Sequence, residues 1–299
     1  MLRQNIVNMY AHGNKVDLMV AEKDVVLTYV LKLFEAEGFH DLVFKGGTCL
    51  RKCYFGRITR FSEDLDFQAQ KPQKIKEYIL QIFKDREFHG IRFSFSSDDV
   101  YETTDSFGVT LTYVHQWNPR STVKIQVSFR DDLIFPPVLH KVHQESYSKY
   151  LEFTLPVVPS MVFEEIIAEK IRACYQRTTV RDAFDLYLFS QQPFHVDLLR
   201  KLVVLKMWSV HEQFNPKQLT EKISKGKFHW YDLERLIRKD ITIKQEDILG
   251  RISSRFSFLS VLTNDEQTLV DDARKHMLHK EKRQMEDEVR SLYKQAGTD

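Results

Sequence analysis

Two acidic side chains one residue apart, Asp64 and Asp66, lie in the stretch Ser62-Glu63-Asp64-Leu65-Asp66-Phe67. In an extended strand residues i and i+2 share a face, so both carboxylates aim together while Leu65 and Phe67 turn toward a core. Two carboxylates held side by side repel and raise each other's pKa, so a sequence that keeps both calls for a compensating cation. Mg²⁺, a hard ion that binds one or two carboxylates plus phosphate oxygens, is the natural choice, with Mn²⁺ as a substitute. It would neutralise charge on a triphosphate and activate an attacking oxygen. Upstream stands Lys45-Gly46-Gly47-Thr48. A glycine pair lets backbone N–H groups approach phosphate oxygens, and a helix beginning at Thr48 would turn its positive end to them. Lys45 and Arg51 flank the glycine turn and could assist phosphate binding or be solvated, and Ser62, just before the acidic pair, could hydrogen-bond a phosphate or cap the turn. Taken singly, an acidic pair is usually a solvated loop and a Gly-Gly-Thr usually a turn. Their order is what points to a site.

The elements that must position them follow from periodicity. Residues 17–36 carry apolar side chains at a 3.6-residue period and predict an amphipathic helix. Leu42-Val43-Phe44 reads as a strand feeding the glycine turn, 48–54 as a short helix, and 61–69 as a second strand broken by Lys71-Pro72. Residues 73–86 return to helical period. Three alternating stretches follow: Ile91-Phe93-Phe95, Val109-Leu111-Tyr113 and Val123-Ile125-Val127-Phe129. A mixed sheet with helices over 38–158 is the expectation, an α/β or α+β unit. Beyond Pro156 and Pro159 the pattern becomes helical. Residues 161–176 and 181–189 are strongly periodic, and 265–293 reads as one charged helix. The expected division is 1–158 and 159–299.

Lys170 falls in the first of these helices, and Asp182 and Asp185, three apart, share a face of the second. On their own, Asp182 and Asp185 with Arg181 read as a surface ion-pair ladder, and Lys170 as a snorkelling lysine.

The segment FKGGTCLRKCYFGRITRFSEDLDF resembles the signature of DNA-polymerase-β-like nucleotidyltransferases, and most closely that of the AbiEii/AbiGii toxins of bacterial type IV toxin–antitoxin systems. The family's Gly-Thr and paired acids correspond to Gly47, Thr48, Asp64 and Asp66. Its downstream Lys and Arg-Asp-x-x-Asp element is matched by Lys170 and by Arg181 through Asp185, and its N-terminal helix by Glu22-Lys23-Asp24. The match covers about residues 20–190. It implies an α+β fold with an N-terminal polymerase-β-like mixed sheet and a mostly helical C-terminal region. It implies catalytic roles for Asp64, Asp66, Lys170 and Asp185, metal binding by Asp64 and Asp66, and nucleotide contacts from Lys45, Gly46, Gly47, Thr48, Ser62 and Asp182. It further implies transfer from an NTP to RNA, with tRNA the acceptor and growth arrest or phage abortive infection the outcome. A cognate antitoxin that forms no stable toxin complex is implied as well. One departure stands out: where such enzymes often carry a third carboxylate on a later strand, this chain has Gln126.

Composition bounds the alternatives. With 42% hydrophobic and 29% charged residues, and few Gly and Pro, the 299-residue chain reads as globular. No run approaches the roughly 18 apolar residues of a membrane span, and the N-terminus lacks a signal-peptide pattern, so a cytoplasmic protein is expected, and separately a monomer. Cys49, Cys53 and Cys174 make no disulfide framework. A net charge of +2 implies no nucleic-acid partner by itself. Between Arg200 and Arg255, however, thirteen Lys/Arg face seven Asp/Glu, with five aromatics interleaved and Phe256 and Phe258 just beyond. That composition suits RNA if the side chains are exposed. Transfer to a protein or small molecule, or nucleotide binding without turnover, are the competing readings.

Overall fold

The computed structural model describes residues 2–38, 41–69, 75–130 and 133–297. They form two compact units. The first comprises Met1–Arg130, Pro137–Met161 and Glu234–Ile241; the second comprises Asp131–Pro136, Val162–Leu233 and Thr242–Asp299.

The first unit opens with α1 (Gln4–Asn14) and α2 (Leu18–Ala36), followed by β1 (Leu42–Lys45) and α3 (Gly46–Cys49). A π-helical turn, Leu50–Phe55, continues α3, and then come β2 (Asp64–Ala69) and α4 (Ile75–Phe83). The remaining strands are β3 (Arg86–Phe88), β4 (Ile91–Ser94), β5 (Val100–Glu102), β6 (Ser106–His115), β7 (Asn118–Ser128), β8 (Val138–Lys141) and β9 (Val157–Ser160). They make one sheet in the order β3-β4-β6-β7-β2-β1-β9-β8, with β5 paired to β6 beside that path. The sheet is mixed: β2 runs antiparallel to β1 and parallel to β7, and β9 runs parallel to β1.

Alternation separates the sheet's faces. Leu65, Phe67, Phe107, Val109, Leu111, Val123, Ile125 and Val127 are buried. Helices α2 and α4 pack over them, where Phe34 meets Phe67 at 5.3 Å and Phe83 at 5.4 Å between ring centroids. Asp64, Asp66, Lys124 and Gln126 take the other face by the same period of two. Strand β2 starts at Asp64 rather than Phe61 because the Phe61 N–H donates to the Leu236 carbonyl (2.7 Å) of the returning segment Glu234–Ile241. The Lys71-Pro72 break and the first residues of the helix expected over 73–86 lie outside the described residues.

Arg51 and Lys52, next to the glycine turn, are buried rather than solvated. Both reach Asp24 of α2, the Arg51 Nε at 2.9 Å and the Lys52 Nζ at 2.9 Å, and the Tyr10 hydroxyl donates to the same carboxylate at 2.7 Å. Burial works against ionisation of Asp24, but the two cations outweigh it and bring its pKa from 3.8 down to about 2. The Arg51 guanidinium also stacks on Phe61, 3.7 Å from the ring centroid. This network fastens the helix after the glycine turn to α2.

The second unit is helical. It contains α5 (Phe163–Gln176), α6 (Val180–Phe189) and α7 (Val196–Trp208), then helices at Pro216–Lys225, Gln245–Arg255, Asn264–Asp272 and His279–Ala296. Fully buried Glu165 of α5 accepts from Lys206 of α7 (2.7 Å) and from the N–H groups of Ile134 and Phe135. The helix expected over 265–293 is two helices. Asp272 breaks it by accepting from the N–H groups of Met277 and Leu278, each at 2.9 Å, while His276 takes a positive φ of 55°. Among the described residues no helix is long and apolar enough to cross a membrane.

Candidate active site

Strand register sets the acidic pair against the glycine turn. Lys45, the last residue of β1, lies opposite Asp66. The next residue, Gly46, has φ +76°, which a side chain would strain, and a Cβ there would stand 2.5 Å from Asp66 Oδ2. Glycine is required at this position both for its backbone and for the room it leaves the carboxylate. The helix starts at Gly46, not at Thr48. Fully buried Thr48 instead donates its hydroxyl to the Asp64 carbonyl, tying the helix to the strand that carries the acids. Lys45 is buried, its ammonium 3.2 Å from Gln68 Oε1 on the same face of β2, and Ser62 is buried just before the pair.

Sequence reasoning passed over Arg60. It is 3% exposed, its guanidinium lies where a Gly47 side chain would stand, and its Nη1 donates to the Phe61 carbonyl at 3.1 Å. Its place four residues before Asp64 was the available signal, masked by its position in a segment rich in basic residues.

On the neighbouring parallel strand, Lys124 lies beside Asp64 and Gln126 beside Asp66. The Gln126 amide donates to the Tyr101 hydroxyl at 2.8 Å. No group of three or more His, Cys, Asp or Glu side chains suited to a metal occurs among the described residues. Two carboxylates with a free choice of phosphate oxygens and waters nevertheless match what Mg²⁺ asks of a protein, so the donor set fits one such ion.

The other expected residues belong to the helical unit. Lys170 of α5 bonds both Asp182 and Asp185 of α6, each at 2.8 Å, and Arg177 reaches the second Asp182 oxygen at 2.9 Å. Asp182 and Asp185 are each 1% exposed, so this is no surface ladder. Burial opposes the charge on Asp182, yet Lys170 and Arg177 prevail and hold its carboxyl well below the usual range. The two acids fix the ammonium of Lys170 in place.

The basic, aromatic-rich stretch proves divided. Trp208, Phe214 and Phe256 are core residues. Arg200 pairs with Asp197 and Glu266, Lys206 with Glu165, and Arg238 with Asp240. Lys225, Lys227, His229 and Tyr231 remain exposed, Tyr231 by 75%.

The family model described as "Nucleotidyl transferase AbiEii toxin, Type IV TA system" matches residues 30–296. The chain belongs to the AbiEii toxin family. It is accordingly a nucleotidyltransferase toxin that uses an NTP and has a cognate antitoxin. Among solved structures it is similar to MenT4, a nucleotidyltransferase toxin of Mycobacterium tuberculosis H37Rv, at 26% identity and TM-score 0.83, covering 98% of this chain and 99% of that one. JHP933 of Helicobacter pylori shares the fold at 18% identity and TM-score 0.52, over 87% of this chain and 97% of that one. No curated protein sequence matches the chain. The α+β architecture implied for an AbiEii-type enzyme, a mixed sheet followed by a helical region, is the one found.

Proposed function

We propose that this toxin transfers a nucleotide from an NTP to the 3′ end of an RNA, with tRNA as the acceptor, and thereby arrests growth or aborts phage infection. The observation that carries the reading is the seating of the Asp66 carboxylate against side-chain-free Gly46, which joins an acidic pair to a bare-backbone turn. In this reading Asp64 and Asp66 hold Mg²⁺, or Mn²⁺ in its place. When bound, the ion would offset phosphate charge and favour the attacking oxygen. Gly46 and Gly47 present backbone to the phosphates, Lys45 and Ser62 lie beside them, and Thr48 keeps Asp64 in position. Lys170, held by Asp185 and Asp182, is the phosphate-binding cation of the helical unit. The exposed Lys225, Lys227 and Tyr231 favour an RNA acceptor, because phosphates attract cations and unstacked bases attract aromatic faces. The enzyme acts as a monomer in the cytoplasm, and the antitoxin counters its effect without a stable complex.

The test is incubation with Mg²⁺, labelled NTPs and total RNA, followed by sequencing of RNA 3′ ends. Wild type should label RNA, and Asp64→Ala Asp66→Ala should lose more than about 10³-fold of that rate. Equal labelling by the double variant ends the proposal. Label on protein or on a small molecule would move the acceptor while keeping the transfer.

A further inference from the structure

We infer that Tyr101 is the surface on which the base of the incoming nucleoside triphosphate stacks. The inference rests on the transferase reading of Asp64 and Asp66 and adds to it the wall that receives the nucleoside.

Three strands place the ring. Tyr101 on β5 is in register with Gly108 on β6, and Gly108 with Gln126 on β7. Gln126 is in turn beside Asp66. The residues that face the acidic pair therefore continue outward through Gln126 to Gly108 and Tyr101. Gly108 is what admits the aromatic side chain: a Cβ there would overlap the Tyr101 ring at its Cε1, Cζ and hydroxyl. The ring consequently reaches back across β6, and its hydroxyl receives the Gln126 amide at 2.8 Å. The ammonium of Lys124, the residue beside Asp64, lies 5.3 Å from the ring centroid.

An aromatic ring fixed in this way is not arranged for core packing, since Tyr101 is 36% exposed. It is tethered by its hydroxyl, flanked by a cation and borne on a three-residue strand. Tethering lowers the ordering cost of any planar group laid against it. Nucleobases have the matching chemistry, because every base presents a π-face to an aromatic side chain. The triphosphate assigned to Asp64 and Asp66 carries such a base one nucleoside away. The amide at 126 thus holds the platform.

Calorimetric titration of the full chain with Mg²⁺ and each of the four NTPs, and separately with inorganic triphosphate, tests the assignment. Tyr101→Ala should weaken NTP binding by roughly 5- to 150-fold, the range for losing one base–aromatic stack, while inorganic triphosphate binds as before. Tyr101→Phe should keep most of the affinity, and Gly108→Ala, which displaces the ring without removing it, should behave like Tyr101→Ala. Unchanged NTP affinity in Tyr101→Ala overturns the inference, as does an equal loss for NTP and inorganic triphosphate, which would mark damage to the phosphate site or the fold. A raised acceptor KM with unaltered NTP affinity also overturns it, by assigning the ring to the RNA. If wild type binds neither NTP nor inorganic triphosphate, the transferase reading itself fails. If wild type binds both equally, only the base platform fails.

Discussion

Asp64 and Asp66 on the sheet, and Asp182 and Asp185 on the helices, are the same residue type set to opposite ends. The helical pair is buried, and an ammonium of the fold, Lys170, compensates both carboxylates. The sheet pair is half-buried, on a face lined by a glycine turn, where a ligand can approach. Removing a charge therefore has different consequences in the two places. Lys170→Ala leaves two acids buried without their shared cation and should cost about 3–5 kcal/mol in urea unfolding. Asp64→Ala Asp66→Ala should stay within about 1 kcal/mol of wild type. Equal losses from the two variants would break the contrast.

A subtler change sharpens it from the sheet side. Gly46→Ala forces a side chain onto a positive φ and into the space of the Asp66 carboxylate. The expected result is a rate loss on the order of 10²-fold, from misplacement of a reacting group, with a stability loss of about 1–3 kcal/mol. A variant with wild-type turnover would show that the close approach has no catalytic weight.

Acidification gives the smallest effect and probes buried carboxylates in both units. Asp24 and Asp182 each have a folded-state pKa below the ordinary value. Such groups stabilise the protein fully above the unfolded pKa and lose that contribution as pH falls toward the folded one. For Asp24, with 3.8 lowered to about 2, the loss should run from about pH 4 to pH 2 and amount to about 2 kcal/mol. Asp24→Asn should therefore show a shallower fall in its urea midpoint over that interval.

The parts of the site that could be read in the amino-acid order are those whose partners lie close by. Alternation placed Leu65 and Phe67 inward and the two acids together, and a local motif joined them to the glycines. What escaped depends on partners distant along the chain. Arg51 and Lys52 look like surface residues until α2 brings Asp24 to them. Tyr101 gains meaning only when Gly108 and Gln126 come into register. The short strands β5, β8 and β9 carry no apolar alternation of the kind that marks β4, so their place depends on the strands beside them. The split of the last helix turned on one side chain, Asp272, taking over two backbone donors.

The segment Glu234–Ile241 gives the sheet-bearing unit an unusual dependence on chain order. Its Leu236 carbonyl holds Phe61 at the head of the strand carrying Asp64, Arg235 pairs with Glu63, and the Lys239 N–H donates to the Lys15 carbonyl. A ribosome has thus made the whole acidic motif long before the peptide that braces it leaves the exit tunnel. Nascent chains cut short by stalling or proteolysis carry both acidic side chains of β2 but lack the segment that braces its start.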